Sequence, residues 1–284
     1  MTERLADVTA RIGGIRQLGA VVNAMRGIAA ARTQQARAQL DAVDRYAATI
    51  GGAIAQVLAL LPPARFPRSA GTTKLGLVLF CAEQGFAGAF SQRVLDAAAA
   101  QLAECRLFVA GTRGVAVLAE RQLTATWQGS MPSHSPGIPK FAGEIANAVH
   151  VSFGKGEIDR LEAVFCQWDP AQAIRVIRQS LLPLDPASFP APANATAPLL
   201  NLTPTALLDA LTPDYLHAQL CRAALHSFAA ENEARMEAMA AAHNQTERQL
   251  ASLQATQRHV RQEEITAEIL ELAAGEAASR GRSA

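Results

Sequence analysis

The sequence predicts an α/β protein in which two long terminal helices pair as an antiparallel coiled coil and carry an α/β domain inserted between them. Three observations predict it. An apolar seam of heptad spacing runs through the first sixty residues, a second runs through the last third, and short apolar runs alternate with helical stretches between them.

The first seam steps by three and four through Leu5, Val8, Ile12, Ile15, Gly19, Val22, Arg26, Ala29, Thr33, Ala36, Leu40, Val43, Ala47, Ile50, Ile54, Val57 and Leu61, and Pro62-Pro63 ends it. At 1.5 Å per residue the helix is roughly 85 Å long, more than a domain of this size buries along one rod. It needs a partner, and the C-terminus supplies one. After Thr212-Pro213-Asp214, a cap with proline at the first helical position, helical sequence runs to about Ala274 and stops near Gly275. Its seam passes through Met236, Met239, His243, Thr246, Leu250, Leu253, Gln257 and Val260.

Between the helices the period changes. Lys74–Cys81 is a buried strand, followed by the glycine turn Gln84-Gly85-Phe86-Ala87-Gly88 and a helix over Phe90–Ala103. Arg106–Ala110 is a second strand, and Gly111-Thr112-Arg113-Gly114 opens another helix. Gln122–Trp127 gives a third strand, Pro139–Phe153 a helix and Leu161–Trp168 a strand. This alternation describes a Rossmann-like domain with a largely parallel sheet. The expected divisions are 1–61 for the first coiled-coil helix, 72–182 for the α/β domain, 183–206 for an irregular return rich in Pro and Ala, 207–275 for the second coiled-coil helix and 276–284 for a flexible tail.

Composition narrows the function. Of 284 residues, 50% are hydrophobic and 18% charged, which excludes a disordered chain, and a net charge of +1 excludes a general polyanion binder. Cys81, Cys105, Cys166 and Cys221 are widely spaced, with neither disulfide nor zinc spacing. Glu3 and Asp7 precede any apolar stretch, which argues against a targeting segment. The most apolar run, Thr49–Leu61, falls well short of the roughly 20 residues that span a bilayer.

Catalytic and ligand motifs are sparse. The Gly85–Gly88 turn stands where a Rossmann-like domain cradles phosphate, yet G-x-G-x-x-G and Walker patterns are missing, so tight-turn glycines are the better reading. Glycines at 111 and 114 ease strand-to-helix packing. Cys81 and Cys166 fall on strands as buried thiols, and no histidine is placed by sequence to activate them.

Charge is unevenly spread: +3 over residues 1–60, +2 over 61–206 and −4 from Leu207 onward, so the terminal helices are of opposite sign. No acid occurs between Asp7 and Asp41, where Arg11, Arg16, Arg26, Arg32 and Arg37 all lie. A solvated helix face is the plain reading. The missing i,i+4 acids favour an acidic partner surface instead, because an Ala-rich helix cannot neutralise these arginines locally. Scarce lysine and an acidic partner helix argue against nucleic acid.

At these residues the chain resembles the gamma subunit of F-type ATP synthases from end to end. The N-terminal match is Ala24-Met25 and Ile28-Ala29-Ala30, with Arg32 where that family usually has Lys. The turn Gln84-Gly85-Phe86-Ala87-Gly88 resembles the family's R-G-L-C-G-G turn. The most specific match is Glu231, Ala234-Arg235-Met236, Ala238-Met239 and Asn244, then Arg261-Gln262-x-x-Ile265-Thr266-x-Glu268-Ile269. The resemblance implies a rotor shaft without catalytic, cofactor or metal residues. Its implied partners are the alpha and beta subunits of the hexamer, the epsilon subunit and the c-subunit ring, with membrane contact only through the complex. It implies a peripheral place on the cytoplasmic face of the bacterial inner membrane. Met25, Arg26, Arg32, Arg261, Gln262, Thr266 and Glu268 match positions that meet beta-subunit loops, and Gly85 and Gly88 match the turn of the foot domain. Departures occur: Arg26 stands for the usual Glu, Asn23 for Lys, Gly27 for Met, Ala82-Glu83-Gln84 and Ala87 for Thr-Asp-Arg and Cys, and Ser91 for Asn. They suggest a divergent branch, such as the N-type ATPases of some bacteria, pumping protons or sodium ions. A free-standing coiled-coil adaptor with a ligand-binding α/β head is the alternative, and an enzyme using Cys81 or the Gly85–Gly88 turn is a third.

Overall fold

A computed structural model describes residues 5–62, 74–169, 173–189 and 199–280. The expected helix stop at Pro63, the domain start at 72, the Pro/Ala stretch 190–198 and the end of the tail, 281–284, lie outside the described residues. In chain order the elements are α1 (Leu5–Ala59), β1 (Leu75–Phe80), α2 (Phe90–Asp96), β2 (Arg106–Ala110), α3 (Thr112–Glu120), β3 (Trp127–Gly129), α4 (Ile138–Gly154), β4 (Arg160–Asp169), β5 (Ala173–Leu182) and α5 (Pro204–Arg280). The chain divides into two compact units, one of Met1–Ile28 with Met236–Ala284 and one of Ala29–Arg235.

The first unit is a helix pair. Val8, Ile12 and Val22 of α1 and Met239, Thr246 and Val260 of α5 are buried, all of them on the seams read from the sequence. Gln257 Nε2 donates to Thr9 Oγ1 at 2.9 Å, which fixes the antiparallel register. A Cβ on Gly19 would lie 3.6 Å from Thr246 Oγ1, so the helices approach closely here and bury little apolar area.

The second unit is built on a five-stranded sheet of order β3-β2-β1-β4-β5. The first four strands are mutually parallel and β5 runs antiparallel to β4. Because side chains alternate along a strand, the sheet has two apolar faces. Val78, Phe80, Phe108, Ala163 and Phe165 pack on one face against Phe141 and Ile145 of α4, Leu220 and Phe228 of α5, and Ala36 of α1. Leu77, Leu79, Leu107, Val109 and Val164 pack on the other against Phe90 and Leu95 of α2 and Leu118 of α3. Further along α1, Ala47, Ile50, Ile54 and Leu58 form a smaller cluster with Ala218 of α5, and Phe189 and Tyr215 pack at its edge.

Four elements differ from the sequence expectation. The third strand is Trp127–Gly129 rather than Gln122–Trp127, because Gln122 takes φ 59° and its neighbour Leu123 closes the end of α3 by donating to Leu118 O at 3.0 Å. Regular helix in α2 stops at Asp96, and tight turns with bonds such as Gln101 N to Ala98 O at 3.0 Å complete the stretch to β2. Strand β5 is absent from the sequence reading; its Arg175 and Arg178 interrupt the apolar alternation, as suits an edge position. Helix α5 begins at Pro204, not at the 212–214 cap. Thr203 Oγ1 accepts from Ala206 N at 3.3 Å, and Pro213 is accommodated inside the helix. The helix continues past Gly275 to Arg280.

Thr33 is the weak point of the seam: it is 3% exposed and its Oγ1 makes no hydrogen bond. A buried hydroxyl without a partner costs about 1–3 kcal/mol. Thr33→Val therefore raises stability by about 1 kcal/mol in urea unfolding of the full chain. An unchanged or lowered midpoint would mean that the hydroxyl is satisfied in solution.

Candidate functional site

The turn that follows β1 is held from several sides in the second unit. It carries two left-handed residues, Phe86 at φ 62° and Gly88 at φ 59°, and Phe86 is 66% exposed. Left-handed backbone is strained for phenylalanine, so the turn must be held from outside. Glu231 of α5 holds it: its carboxylate accepts from Glu83 N at 3.2 Å and from Gln84 N at 3.1 Å. Arg235, one helical turn on, donates to Glu231 at 2.5 Å and through Nε to Gly85 O at 3.2 Å. Asn232 Oδ1 receives Arg235 Nη1 at 2.9 Å, while its own amide donates to Phe228 O at 2.8 Å. The side chains of Glu231 and Arg235 are 4% and 5% exposed.

A second carboxylate fastens the same turn to the sheet. Glu83 accepts from Thr112 N at 3.1 Å and Met131 N at 2.9 Å, and Thr112 Oγ1 donates to Glu83 O at 2.8 Å. From α1, Arg32 Nη1 donates to Gln84 Oε1 at 3.3 Å. A Cβ on Gly111, at φ 102°, would run into the Cys81 carbonyl oxygen, and one on Gly114 into the Cys81 side chain. Close packing of α3 against β1 thus explains both glycines. Strand order reverses between β1 and β4, the place where α/β folds bind phosphate on free amides. Here the amides of Glu83 and Gln84 are given to the chain's own carboxylate.

The buried thiols are held protonated. Burial drives the Cys81 thiol far above its ordinary range, and the charges of Cys166 and Glu231 push the same way. Burial lifts Cys166 to about 12 and Cys221 to about 11. His217 Nε2 lies 3.8 Å from Cys221 Sγ, a long sulfur contact, and the same nitrogen is 2.9 Å from Pro139 O.

The residues matched to partner contacts fall in separate places. Met25 and Arg26 are half-buried on α1, with Arg26 Nη2 donating to Asn23 Oδ1 at 3.0 Å. Arg261, Gln262, Thr266 and Glu268 are exposed near the end of α5, where Thr266 Oγ1 donates to Gln262 O at 2.8 Å. Since Gln257 faces Thr9 and the chains run antiparallel, the α5 set stands roughly 30–40 Å along the helix pair from Arg26. Arg32 is turned to Gln84, bringing it together with the turn that holds Gly85 and Gly88. The arginine tract is also less isolated than its sequence suggests. Arg37 pairs with Glu233 of α5 at 3.2 Å and lies 3.9 Å over the Trp168 ring, so the acidic helix neutralises it. Sequence reasoning quoted Glu231 and Arg235 as part of a match but gave them no role. The available signal was a Glu–Arg pair at i,i+4 amid buried Ala and Leu, where an ion is tolerated only if paired.

A family model described as ATP synthase matches residues 4–278. Relatives over nearly full length are ATP synthase gamma chains. That of Chlorobium chlorochromatii is 28% identical, over 98% of this chain and 99% of the relative. That of Heliobacterium modesticaldum is 27% identical, over 96% and 98%. The chain belongs to the ATP synthase gamma family. Its fold recurs in a chain of the Euglena gracilis mitochondrial ATP synthase, OSCP/F1/c-ring, at TM-score 0.65 and 14% identity, over 96% of this chain and 94% of that one. It recurs again in the central stalk/c-ring of the Tetrahymena thermophila enzyme, at TM-score 0.56 and 19% identity, over 78% and 99%. As a gamma subunit it is part of a rotary ATP synthase. Among the described residues no helix is long and apolar enough to cross a membrane.

One titratable group on α5 in the second unit gives a pH signature. His226 stacks on Phe165 with ring centroids 6.0 Å apart, and its buried Nε2 finds no hydrogen-bond partner. Burial lowers its pKa from the ordinary value; Arg222 adds to the lowering and Asp44 opposes it. As pH falls the unfolded chain takes up this proton first. The stability that neutral His226 contributes is therefore complete above about pH 6.5 and is lost below it. Between about pH 7.5 and about pH 5.5 the urea midpoint of the native sequence should fall further than that of His226→Leu. Parallel curves for the two proteins would assign the pH dependence to other groups.

Proposed function

We propose that this gamma subunit is the central rotor shaft, coupling proton or sodium ion translocation through the membrane sector to ATP synthesis or hydrolysis on the beta subunits. It carries no catalytic, cofactor or metal residue of its own. Its partners are the alpha and beta subunits around the coiled coil, with the epsilon subunit and the c-subunit ring at the α/β foot. The complex holds it, as a peripheral protein, on the cytoplasmic face of the bacterial inner membrane.

The observation that carries this reading is the end of α5. From Arg261 to Gly275 every side chain is exposed, and Ile265, Ile269, Leu270 and Leu272 are 50–75% exposed. A helix presents so much apolar surface to water only when another protein covers it. The protonated thiols and the phosphate cradle filled by Glu231 support a mechanical role over the ligand-binding adaptor and enzyme readings.

In this role Met25, Arg26, Arg32, Arg261, Gln262, Thr266 and Glu268 meet beta-subunit loops in turn as the shaft rotates. Weak, screened attractions to acidic loops guide a moving surface without locking it, since exposed ion pairs contribute only about 0–1 kcal/mol. Replacing Arg261 and Gln262 together by Ala reduces ion pumping per ATP in the assembled complex more than it reduces assembly. Normal pumping per ATP in that variant would remove the pair from the mechanism. Arg26→Glu leaves the melting temperature of the free chain nearly unchanged and alters the ATPase rate, or its salt dependence, in the complex. A large melting shift with unaltered ATPase behaviour would make Arg26 a structural residue.

A further inference from the structure

We propose that Glu231 and Arg235 are positioning residues for coupling: together they lock the turn after β1 to helix α5 within the second unit, so that the surface around Phe86 keeps a fixed orientation on that helix. The proposal rests on the rotor reading above, but the lock itself does not.

Its construction is unusual for a stabilising contact. One carboxylate takes three donors, the amides of Glu83 and Gln84 and the Arg235 guanidinium, while Arg235 also grips the Gly85 carbonyl. Three consecutive residues are thus held by their backbones, with no rotatable side chain of the turn in the linkage. A buried ion pair is a poor source of net stability compared with well-packed apolar residues of the same volume. What it supplies is geometry. A planar guanidinium whose three nitrogens reach Glu231, Gly85 and Asn232 fixes direction as well as distance. The segment so fixed presents an exposed phenylalanine at φ 62°, an orientation that it would not hold by itself.

The chemistry makes the lock separable from the fold. Glu231→Gln keeps the volume but has one acceptor oxygen, and its NH2 must face a donor. Arg235→Lys keeps the charge and loses the fork to Gly85 and Asn232. Glu231→Ala leaves a space beside two free amides and Arg235, which formate can occupy. Amide exchange at Glu83 and Gln84 in the free full-length chain reads the lock without any partner. Ions pumped per ATP hydrolysed in the assembled complex reads its consequence.

The expected result is amide exchange at least tenfold faster in Glu231→Gln and Glu231→Ala, with pumping per ATP falling below half in both and in Arg235→Lys. Sodium formate restores protection and pumping together in Glu231→Ala only. Phe86→Ala, with the lock intact, lowers pumping while leaving both amides protected. Unchanged exchange in Glu231→Gln would show that there is no lock. Faster exchange with native pumping per ATP would make the pair merely structural, as would loss of assembly in Glu231→Gln that formate-treated Glu231→Ala shares. Failure of the unaltered chain to join an alpha–beta hexamer would instead overturn the rotor reading and leave the exchange result standing.

Discussion

A helix of 55 residues whose seam thins in its middle to Gly19, Arg26, Ala29, Thr33 and Ala36 cannot bury enough apolar area there to hold itself, and the architecture follows from that shortage. Helix α1 needs α5, and the need is met partly by charge. The N-terminal helix is basic and the C-terminal helix acidic, so their pairing neutralises groups that each would carry alone. Arg37 with Glu233 is a contact of that kind within the second unit, and Asp44 with Arg222 at 2.8 Å is a pair of the reverse sense beside it. Where charge is not used, small residues let the helices come close, as at Gly19 opposite Thr246. The result is a thin pair supported by the sheet domain in one unit and by little but itself in the other.

The sheet domain shows what happens when a nucleotide-type architecture is given a mechanical task. The crevice at the β1–β4 reversal has the geometry of such sites, with backbone amides after a strand and glycines that let α3 approach β1. An internal carboxylate now satisfies those amides. Because Glu231 and Arg235 belong to the same helix, the turn is joined to α5 within the second unit. The burial around the joint also raises the pKa of the neighbouring Cys81 thiol, so this part of the molecule is chemically quiet.

Much of this was legible from residue order alone. Heptad spacing located the α1 seam, and buried Val8, Ile12, Val22, Ala29, Thr33, Ala36, Ala47, Ile50, Ile54 and Val57 lie on it, while buried Ala55 and Leu58 lie off it. Short apolar runs located β1, β2 and β4 because parallel strands are buried on both faces. Strand β5 was illegible because an edge strand alternates apolar residues with arginines and serine, as a surface loop also does. The start of α5 was ambiguous because Thr-Pro occurs twice, at 203–204 and 212–213, and only tertiary packing decides that the second lies inside the helix. The turn glycines were legible as turn glycines. The partners of the turn were not, since Glu231 lies nearly 150 residues from the amides that it binds.

That separation bears on how the turn can vary. Residues 82–84 and 87 depart from the pattern that the chain otherwise resembles, which at first sight threatens the one surface of the foot that must keep its orientation. A joint made to backbone amides and a backbone carbonyl does not depend on which side chains the turn carries. Ala82, Gln84 and Ala87 can differ without loosening it, because none lends a side-chain atom to Glu231 or Arg235. Glu83 is the instructive case. Its side chain is used, but toward Thr112 and Met131 on the sheet side, so its extra methylene relative to Asp is taken up away from the helix joint. Variation is free where only the backbone is gripped and restricted where the gripping groups sit. The chain accordingly retains Glu231 and Arg235 from the pattern that it resembles, while its turn has drifted from it.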